Sequence, residues 1–200
     1  GDVDAVLVHD PDAEKAFLAK GFGLARRPLM RNDFIIVGPA DDPAGIRGGQ
    51  DAVAAFQTIR QREAPFVSRG DISGTHMAEK RLWAAAGVTI PFPGYAEAGQ
   101  GQLQTLLIAA ERKAYSLSDS ATFAASRTKL PLDVLVQGDG RLANRYSGIA
   151  VNPEHHPDTR AALAARFLDW LTSPEGQRRI ADLKVDGRSL FIPDANPESP

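Results

Sequence analysis

The chain has 200 residues, of which 43% are hydrophobic and 24% charged, and its formal net charge is −2. These values are typical of a globular protein with a hydrophobic core, built as one large domain or two small lobes. The lack of a basic excess argues against nucleic-acid binding. No apolar run approaches the length of a membrane-spanning helix, and the absence of cysteine excludes disulfides and a thiol nucleophile.

Strand-like and helix-like segments alternate along the chain, which predicts an α/β fold. The strand-like segments are residues 3–9, 34–38, 66–68, 114–117, 132–137 and 148–152. The helix-like segments are residues 12–20, 51–62, 75–86, 102–113 and 158–171. A further helix is expected after Ser173, which would cap it, with Pro174 in its first position.

Two expectations concern the carboxyl-terminal part of the chain. The segment 158–171 is amphipathic, and we expect Leu163, Phe167 and Leu171 on its inner face. The Pro-rich tail predicts that ordered structure ends after Pro193.

Two segments rich in Gly, Asp and Pro or Asn interrupt the pattern, at residues 37–50 and 138–148. They are suited to carry the chain between two lobes, one holding residues 39–146 and the other the two ends. The first strand-like segment starts almost at Gly1, so we interpret the chain as a fragment or a processed product.

The segment FVSRGDISGTH, residues 66–76, predicts a strand, a short turn and the start of a helix. Such turns lie at the carboxyl edge of a sheet, where a helix amino terminus favours an anion. The donors offered are the hydroxyls of Ser68, Ser73 and Thr75, the guanidinium of Arg69 and the backbone at Gly74. Asp71 is placed to orient Arg69. The alternatives are that Ser73 or Asp71 only caps the helix, that Arg69 and Asp71 form a surface ion pair, or that Arg-Gly-Asp is an adhesion motif.

Two more turns could add donors. Gly99, Gln100 and Gly101 precede the helix-like segment 102–113, but Gln104 stands where a dinucleotide fingerprint needs its third glycine. A plain loop is the alternative. In the segment YSLSDSATF, Ser118 and Ser120 are candidate donors, whereas Asp119 is expected to cap a short helix or to help close the lobes.

The sequence does not favour catalysis. The serine of Gly70-Asp71-Ile72-Ser73-Gly74 is one place off a nucleophile elbow, and no Walker A sequence occurs. No histidine pair has the i, i+4 spacing of a helical zinc site. We therefore expect a binding protein that is not an enzyme and needs no metal or cofactor.

Taken together, seven segments resemble the tungstate-binding proteins of bacterial ABC importers, within the type II periplasmic binding protein superfamily. They occur in the family's order over nearly the whole chain: GDVDAVLVH, RNDFIIVGPADDPAGI, FVSRGDISGTH, EAGQGQLQTL, YSLSDSATF, SGIAVNP and WLTSPEGQRRIADLKVDGRSLFIP. The core of FVSRGDISGTH also resembles the phosphate-binding branch of that superfamily.

The resemblance implies two α/β lobes joined by a two-strand hinge, with the anion in the cleft between them. Lobe one would hold residues 1–38 and 147–200, and lobe two residues 39–146. The family's ligand arginine and threonine fall on Arg69 and Thr75, while Ser68 and the Gly99–Gly101 turn are looser matches. The family's first strand, with a hydroxyl-rich loop, would lie upstream of Gly1, which would leave lobe one incomplete. Ser120 and Ala121 depart from the family pattern.

The implied function is the substrate-binding component of an ABC transporter for tungstate or molybdate. It would work in the periplasm or as a membrane-anchored extracytoplasmic protein, and would deliver the anion to a membrane permease. Both anions are fully deprotonated near neutral pH, so their site needs donors only, whereas hydrogen phosphate also needs an acceptor. Phosphate or sulfate binding, and an oxyanion-sensing domain of a transcription regulator, are the alternatives. Self-association through the truncated sheet edge is a further expectation.

Overall fold

The computed structural model describes residues 1–185 and 187–195. The chain divides into two compact units, the first formed by Gly1–Asn32 with Asn144–Pro200 and the second by Asp33–Ala143. Each unit contains strands and helices, so the predicted α/β class is confirmed.

The elements are numbered in chain order. The strands are β1 (Ala5–Val8), β2 (Gly23–Gly38), β3 (Phe66–Ser68), β4 (Tyr95–Glu97), β5 (Ser116–Asp119), β6 (Asp133–Val136), β7 (Ala143–Val151), β8 (Lys184–Val185), β9 (Arg188–Ser189) and β10 (Ile192–Pro193). The α-helices are α1 (Pro11–Ala19), α2 (Ala52–Gln61), α3 (Gly74–Ala85), α4 (Gln102–Glu111), α5 (Ser120–Ser126), α6 (Ala161–Thr172) and α7 (Pro174–Asp182). Within the described ranges, none of the helices combines the length and hydrophobicity that a membrane crossing requires.

In the first unit, the strand order is β1, β7, β2, β10, with β1 antiparallel to β7 and β10 antiparallel to β2. Helix α7 begins as the sequence predicts, because Pro174 is its first residue and Ser173 Oγ accepts a hydrogen bond from the Gly176 amide at 3.2 Å. Hydrogen bonding continues past Pro193, since the Asp194 amide donates to Leu29 O at 3.1 Å. The rest of the predicted disordered tail, from residue 196, lies outside the described residues.

The inner face predicted for α6 is wrong for Leu163 and Phe167, whereas Leu171 packs against the buried residues as predicted. Leu163 and Phe167 are about half exposed, and Ala164 and Leu168 are the residues that are buried. Apolar side chains surround most of this helix, so their spacing fits more than one face. The unit selects the face whose side chains fit against the sheet, which periodicity alone does not identify.

In the second unit, β3 lies between β4 and β5 and is parallel to both of them. Phe66 pairs with Tyr95 of β4 on one side and forms a bridge to Tyr115, immediately before β5, on the other. Strands β5 and β6 both pair antiparallel with β2. Each of the three parallel strands is followed by a helix, so the amino termini of α3, α4 and α5 gather at one edge of the sheet.

The core of the second unit is aromatic. Trp83 of α3 is fully buried, and its ring centroid lies 4.2 Å from that of Phe56, 5.1 Å from that of Phe66 and 5.1 Å from that of Phe92. These contacts fix α2 and α3 against β3, the strand that leads into the candidate site. The position of that site therefore depends on this cluster.

The two tryptophans allow a matched test of the aromatic core. Trp83→Ala should lower the free energy of unfolding by about 3–5 kcal/mol because it leaves a large cavity. Trp170→Ala should lower the free energy of unfolding much less, since that side chain is 41% exposed. Urea unfolding followed by far-UV circular dichroism measures both variants. Equal losses would contradict the assignment of the core.

Candidate functional site

The candidate site is the turn between Ser68, where β3 ends, and Gly74, where α3 begins. Ile72 in the middle of this turn is 97% exposed, so the turn lies at the surface. Gly70 has φ +63°, and a Cβ atom there would lie 2.5 Å from Glu97 Cβ. Only glycine combines that backbone conformation with so close an approach of the neighbouring strand end.

Asp71 holds the guanidinium of Arg69 and the hydroxyl of Ser73 together. Arg69 Nε and Nη2 donate to Asp71 Oδ2 at 3.0 and 2.5 Å. The Ser73 amide and hydroxyl donate to Asp71 Oδ1 at 3.0 and 2.5 Å. The Arg69 side chain is still 20% exposed, and Nη1 makes no hydrogen bond to the described part of the chain. This guanidinium is therefore oriented and retains donors that a ligand could use.

The pKa of Asp71 reflects two opposed influences. Burial acts to raise it, but hydrogen bonds from Ser73 and the hydrogen bonds and charge of Arg69 outweigh burial and hold the pKa below its ordinary value. Asp71 is consequently a carboxylate at neutral pH, and its charge offsets that of Arg69.

Helix α3 contributes further donors at its amino terminus. Thr75, in the first turn, is 4% exposed, and its hydroxyl makes no hydrogen bond within the described ranges. The Ser73 hydroxyl accepts from the His76 amide at 3.3 Å, which leaves the amides of Gly74 and Thr75 without a capping side chain. Unsatisfied amides and the helix dipole favour an anion at such a terminus.

The turn before α4 lies beside the first one because β3 and β4 are paired in parallel. The Gly99 amide donates to Arg69 O at 2.8 Å, which joins the two turns directly. Gly99 has φ +60° and Gln100 is exposed. Gly101 is the N-cap residue of α4, and no side chain in the described part of the chain caps this helix. The first amides of α4 are therefore free of competition from a capping oxygen.

The third turn, before α5, is capped. Asp119 Oδ1 accepts from the Thr122 amide at 2.8 Å, in agreement with the capping role expected for Asp119. The Ser118 hydroxyl donates to Asp119 O at 3.0 Å and is fully buried. Ser118 is therefore not placed to donate to a ligand from this position.

Two of the predicted donors have other roles in the structure. Ser68 is fully buried. Its Oγ lies 3.0 Å from His76 Nδ1 and accepts a hydrogen bond from the Gly70 amide at 3.2 Å. The Ser68 hydroxyl is thus engaged with His76 and Gly70 in this structure, and its predicted contact with an anion stays a prediction. The hydroxyl proton of Ser73 goes to Asp71, so Ser73 caps α3 and holds Asp71 instead of offering that proton to a ligand.

A buried polar group beneath the turn was not predicted from the sequence. Glu79 is 1% exposed, and its Oε1 accepts from Tyr95 Oη at 2.9 Å and Trp83 Nε1 at 3.2 Å. Burial raises the pKa of Glu79 to about 7, against the opposing influence of Ser68 and of the hydrogen bonds from Tyr95 and Trp83. The spacing of His76, Glu79 and Trp83 along α3 was the available signal, since it places all three on the buried side.

His76 completes this group. Its Nδ1 lies 4.0 Å from Glu79 Oε2. Burial, followed by the charge of Lys80, lowers the pKa of His76, so the imidazole is neutral at pH 7 and the contact is not an ion pair there. No cluster of three metal-binding side chains is found among the residues that the structure describes.

Comparison with known proteins identifies the family. Residues 1–175 match the model of the PBP superfamily domain. The chain belongs to the PBP superfamily. Among superfamily members, the tungstate-binding protein TupA of Peptoclostridium acidaminophilum is 39% identical over 199 residues, covering 98% of this chain and 70% of that protein. The solved structure of the tungstate-binding protein TupA from Desulfovibrio alaskensis G20 has 46% identity and a TM-score of 0.82, covering 98% of this chain and 80% of the other.

A third superfamily relative comes from Haloferax volcanii and bears the provisional name of an ABC transporter anion-binding protein. It is 46% identical over 205 residues, and the match covers 100% of this chain and 60% of the relative. The chain thus spans less than two thirds of that relative's length.

The raised pKa of Glu79 predicts a pH-dependent stability. Protonated Glu79 favours the folded state, so its contribution is fully present below about pH 4.5 and is lost as the pH rises through about 7. The free energy of unfolding of Glu79→Gln, taken relative to that of the wild type, should therefore rise by up to about 3 kcal/mol between pH 4.5 and pH 8. Urea unfolding at a series of pH values measures this difference.

Glu111→Gln is the matched control, because it removes an exposed carboxylate at the last residue of α4. The stability difference between this variant and the wild type should not show the rise expected for Glu79→Gln. A constant difference for Glu79→Gln as well would contradict the titration of Glu79 in this range.

Proposed function

We propose that the protein is the substrate-binding component of an ABC transporter for tungstate, and that the anion binds at the turn between Ser68 and Gly74. The proposal is supported by the relatives named as tungstate-binding proteins and by the donors that converge on this turn. The direct ligands would be the guanidinium of Arg69, the hydroxyl of Thr75 and the amide of Gly74. The turn formed by Gly99, Gln100 and Gly101 would complete the donor set.

The observation that carries the proposal is the saturation of Asp71. Its Oδ2 accepts two hydrogen bonds from Arg69, and its Oδ1 accepts two from Ser73. A carboxylate offers about four acceptor positions, so Asp71 has none left for a ligand proton. The turn therefore offers donors only, which suits a fully deprotonated oxyanion and disfavours hydrogen phosphate.

Transport is the wider context of this proposal. The anion-loaded protein would act on the extracytoplasmic side of the membrane, in the periplasm or on a membrane anchor, and deliver its ligand to an ABC permease. Binding without catalysis is sufficient for this role. The lobes predicted as residues 1–38 with 147–200 and residues 39–146 remain part of the proposal.

We also propose that the protein associates with a second copy of itself through a strand edge. Among the described strands, β1 stands at the end of the order β1, β7, β2, β10. An unpaired strand edge of this kind can pair with a second copy.

The first test removes the guanidinium. Arg69→Ala in the full-length protein should weaken tungstate binding at least about 100-fold, because a charge-assisted donor to a bound anion is lost. Arg112→Ala is the matched control, since Arg112 is an exposed arginine at the end of α4. Isothermal titration calorimetry measures both affinities, and equal affinities for the two variants would refute the site.

The second test compares anions. Tungstate and molybdate should bind the full-length protein more tightly than phosphate, because the proton of hydrogen phosphate would face a turn without a free acceptor. Sulfate is also deprotonated but smaller, so its rank reports the size of the site. Parallel titrations with the four anions measure the order. Tightest binding of phosphate would overturn the assignment to tungstate.

A further inference from the structure

A chain of polar contacts runs from the oxyanion turn to a buried carboxyl group. Ser68 Oγ lies 3.0 Å from His76 Nδ1 and accepts from the Gly70 amide at 3.2 Å. The same Nδ1 lies 4.0 Å from Glu79 Oε2. Glu79 is held in place by Tyr95 of β4 and Trp83 of its own helix. The chain therefore connects β3, β4 and α3 directly beneath the turn.

The charge of Glu79 selects between two directions of the hydrogen bond that joins Ser68 and His76. An ionised Glu79, whose Oε2 lies 4.0 Å from His76 Nδ1, favours a proton on that nitrogen, which then donates to Ser68 Oγ. A neutral Glu79 removes this preference, so Ser68 is able to donate to an unprotonated Nδ1. The Gly70 amide donates to Ser68 in both arrangements, so the change occurs at the hydroxyl that contacts the turn.

The same residues are joined to the ligand donors. The amide of His76 donates to Ser73 Oγ, Ser73 Oγ donates to Asp71, and Asp71 accepts from the guanidinium of Arg69. His76 thus belongs to both networks, through its ring on one side and its backbone on the other. A change of charge on Glu79 is therefore felt at the turn through the ring and the backbone of His76.

The charges around Glu79 do not neutralise it. Tyr95 faces it from β4, Glu97 acts on it from the end of β4 as a like charge, and His76 on α3 is neutral near pH 7. Arg69, Asp71 and Lys80 act on His76, but none of them is hydrogen-bonded to Glu79 in the described part of the chain. An ionised Glu79 is therefore an unpaired negative charge behind a site for an anion. Since its pKa lies at about 7, both charge states are populated near neutral pH.

We propose that Glu79 is a positioning residue that couples oxyanion binding to a proton, so that the turn binds its anion more tightly when Glu79 is protonated. Binding then draws a proton from solvent onto Glu79, because coupling between two sites is reciprocal. This inference rests on the proposed function, and it adds a proton as a second, linked ligand of the same site.

The test is calorimetric titration of the full-length protein with tungstate between pH 6.5 and 8.5, in pairs of buffers with different ionisation enthalpies. Tungstate stays deprotonated over this range, so any proton taken up belongs to the protein. Wild-type affinity should fall about five-fold or more as the pH rises, with fractional proton uptake near pH 7. Glu79→Gln should bind with an affinity independent of pH and take up no proton.

Two further variants sharpen the test. Glu111→Gln removes an exposed carboxylate at the carboxyl end of α4, away from the turn, and should keep the pH dependence of the wild type. Glu79→Asp keeps a titratable carboxyl and should retain a pH-dependent affinity. If Glu79→Gln does not fold, carbon-13 NMR of the wild-type carboxyl groups replaces it. Saturating tungstate should then raise the titration midpoint of one buried glutamate.

The outcomes separate the two proposals. No tungstate binding by the wild type at any of these pH values would refute the proposed function. Tungstate binding that is independent of pH, or a Glu79→Gln variant with the wild-type pH dependence and proton uptake, would refute the role of Glu79 and leave the proposed function standing. An NMR midpoint that tungstate leaves unchanged would do the same.

Discussion

Parallel pairing of β3 with its two neighbours is the constraint on which the candidate site depends. Because Phe66 is opposite Tyr95, Ser68 falls opposite Glu97, and the chain leaves both strands at the same level. The Gly99 amide then reaches Arg69 O, so two strand-to-helix turns become one continuous surface. A register shift of one residue would reverse the side-chain directions on β3 and separate these turns.

Burial of polar groups beneath the turn has a cost in stability. Ser68, His76 and Glu79 are buried at positions that apolar side chains could fill, and Glu79 carries a pKa far from that of a solvated carboxyl group. Local departures from the usual rule of an apolar core are expected at functional sites. Here the polar group lies directly under the turn that holds the donors, which favours a role in ligand binding over one in folding.

The sequence predicted the local features that depend on neighbouring residues. The Ser173 cap with Pro174, the Asp119 cap and the strand, turn and helix around Arg69 all follow from short-range chemistry. Sequence reasoning missed β4, a strand of three residues, because its pairing with β3 is a long-range event without a periodic signature. The prediction that Leu163 and Phe167 lie on the buried face of α6 was wrong, because apolar residues surround that helix.

The buried polar residues of α3 were not predicted, for a different reason. A stripe of Ala78 and Leu82 predicts the apolar side of the helix, but Thr75, His76 and Glu79 are also buried. Charged and polar residue types predict exposure when they are considered one at a time. Their burial becomes evident only when Tyr95 of β4 and Trp83 supply the hydrogen bonds that a buried carboxyl group requires. Such partners come from distant parts of the chain and cannot be assigned from spacing alone.

The charge balance of the turn explains why a buried carboxyl group can influence ligand binding there. The charge of Asp71 offsets that of Arg69, so the turn attracts an anion through oriented donors and the amino termini of α3 and α4 more than through net charge. Fixed dipoles of this kind act strongly only at short range and in the right orientation. A single charge on Glu79, which contacts His76 beneath these same donors, is therefore not outweighed by a local excess of positive charge.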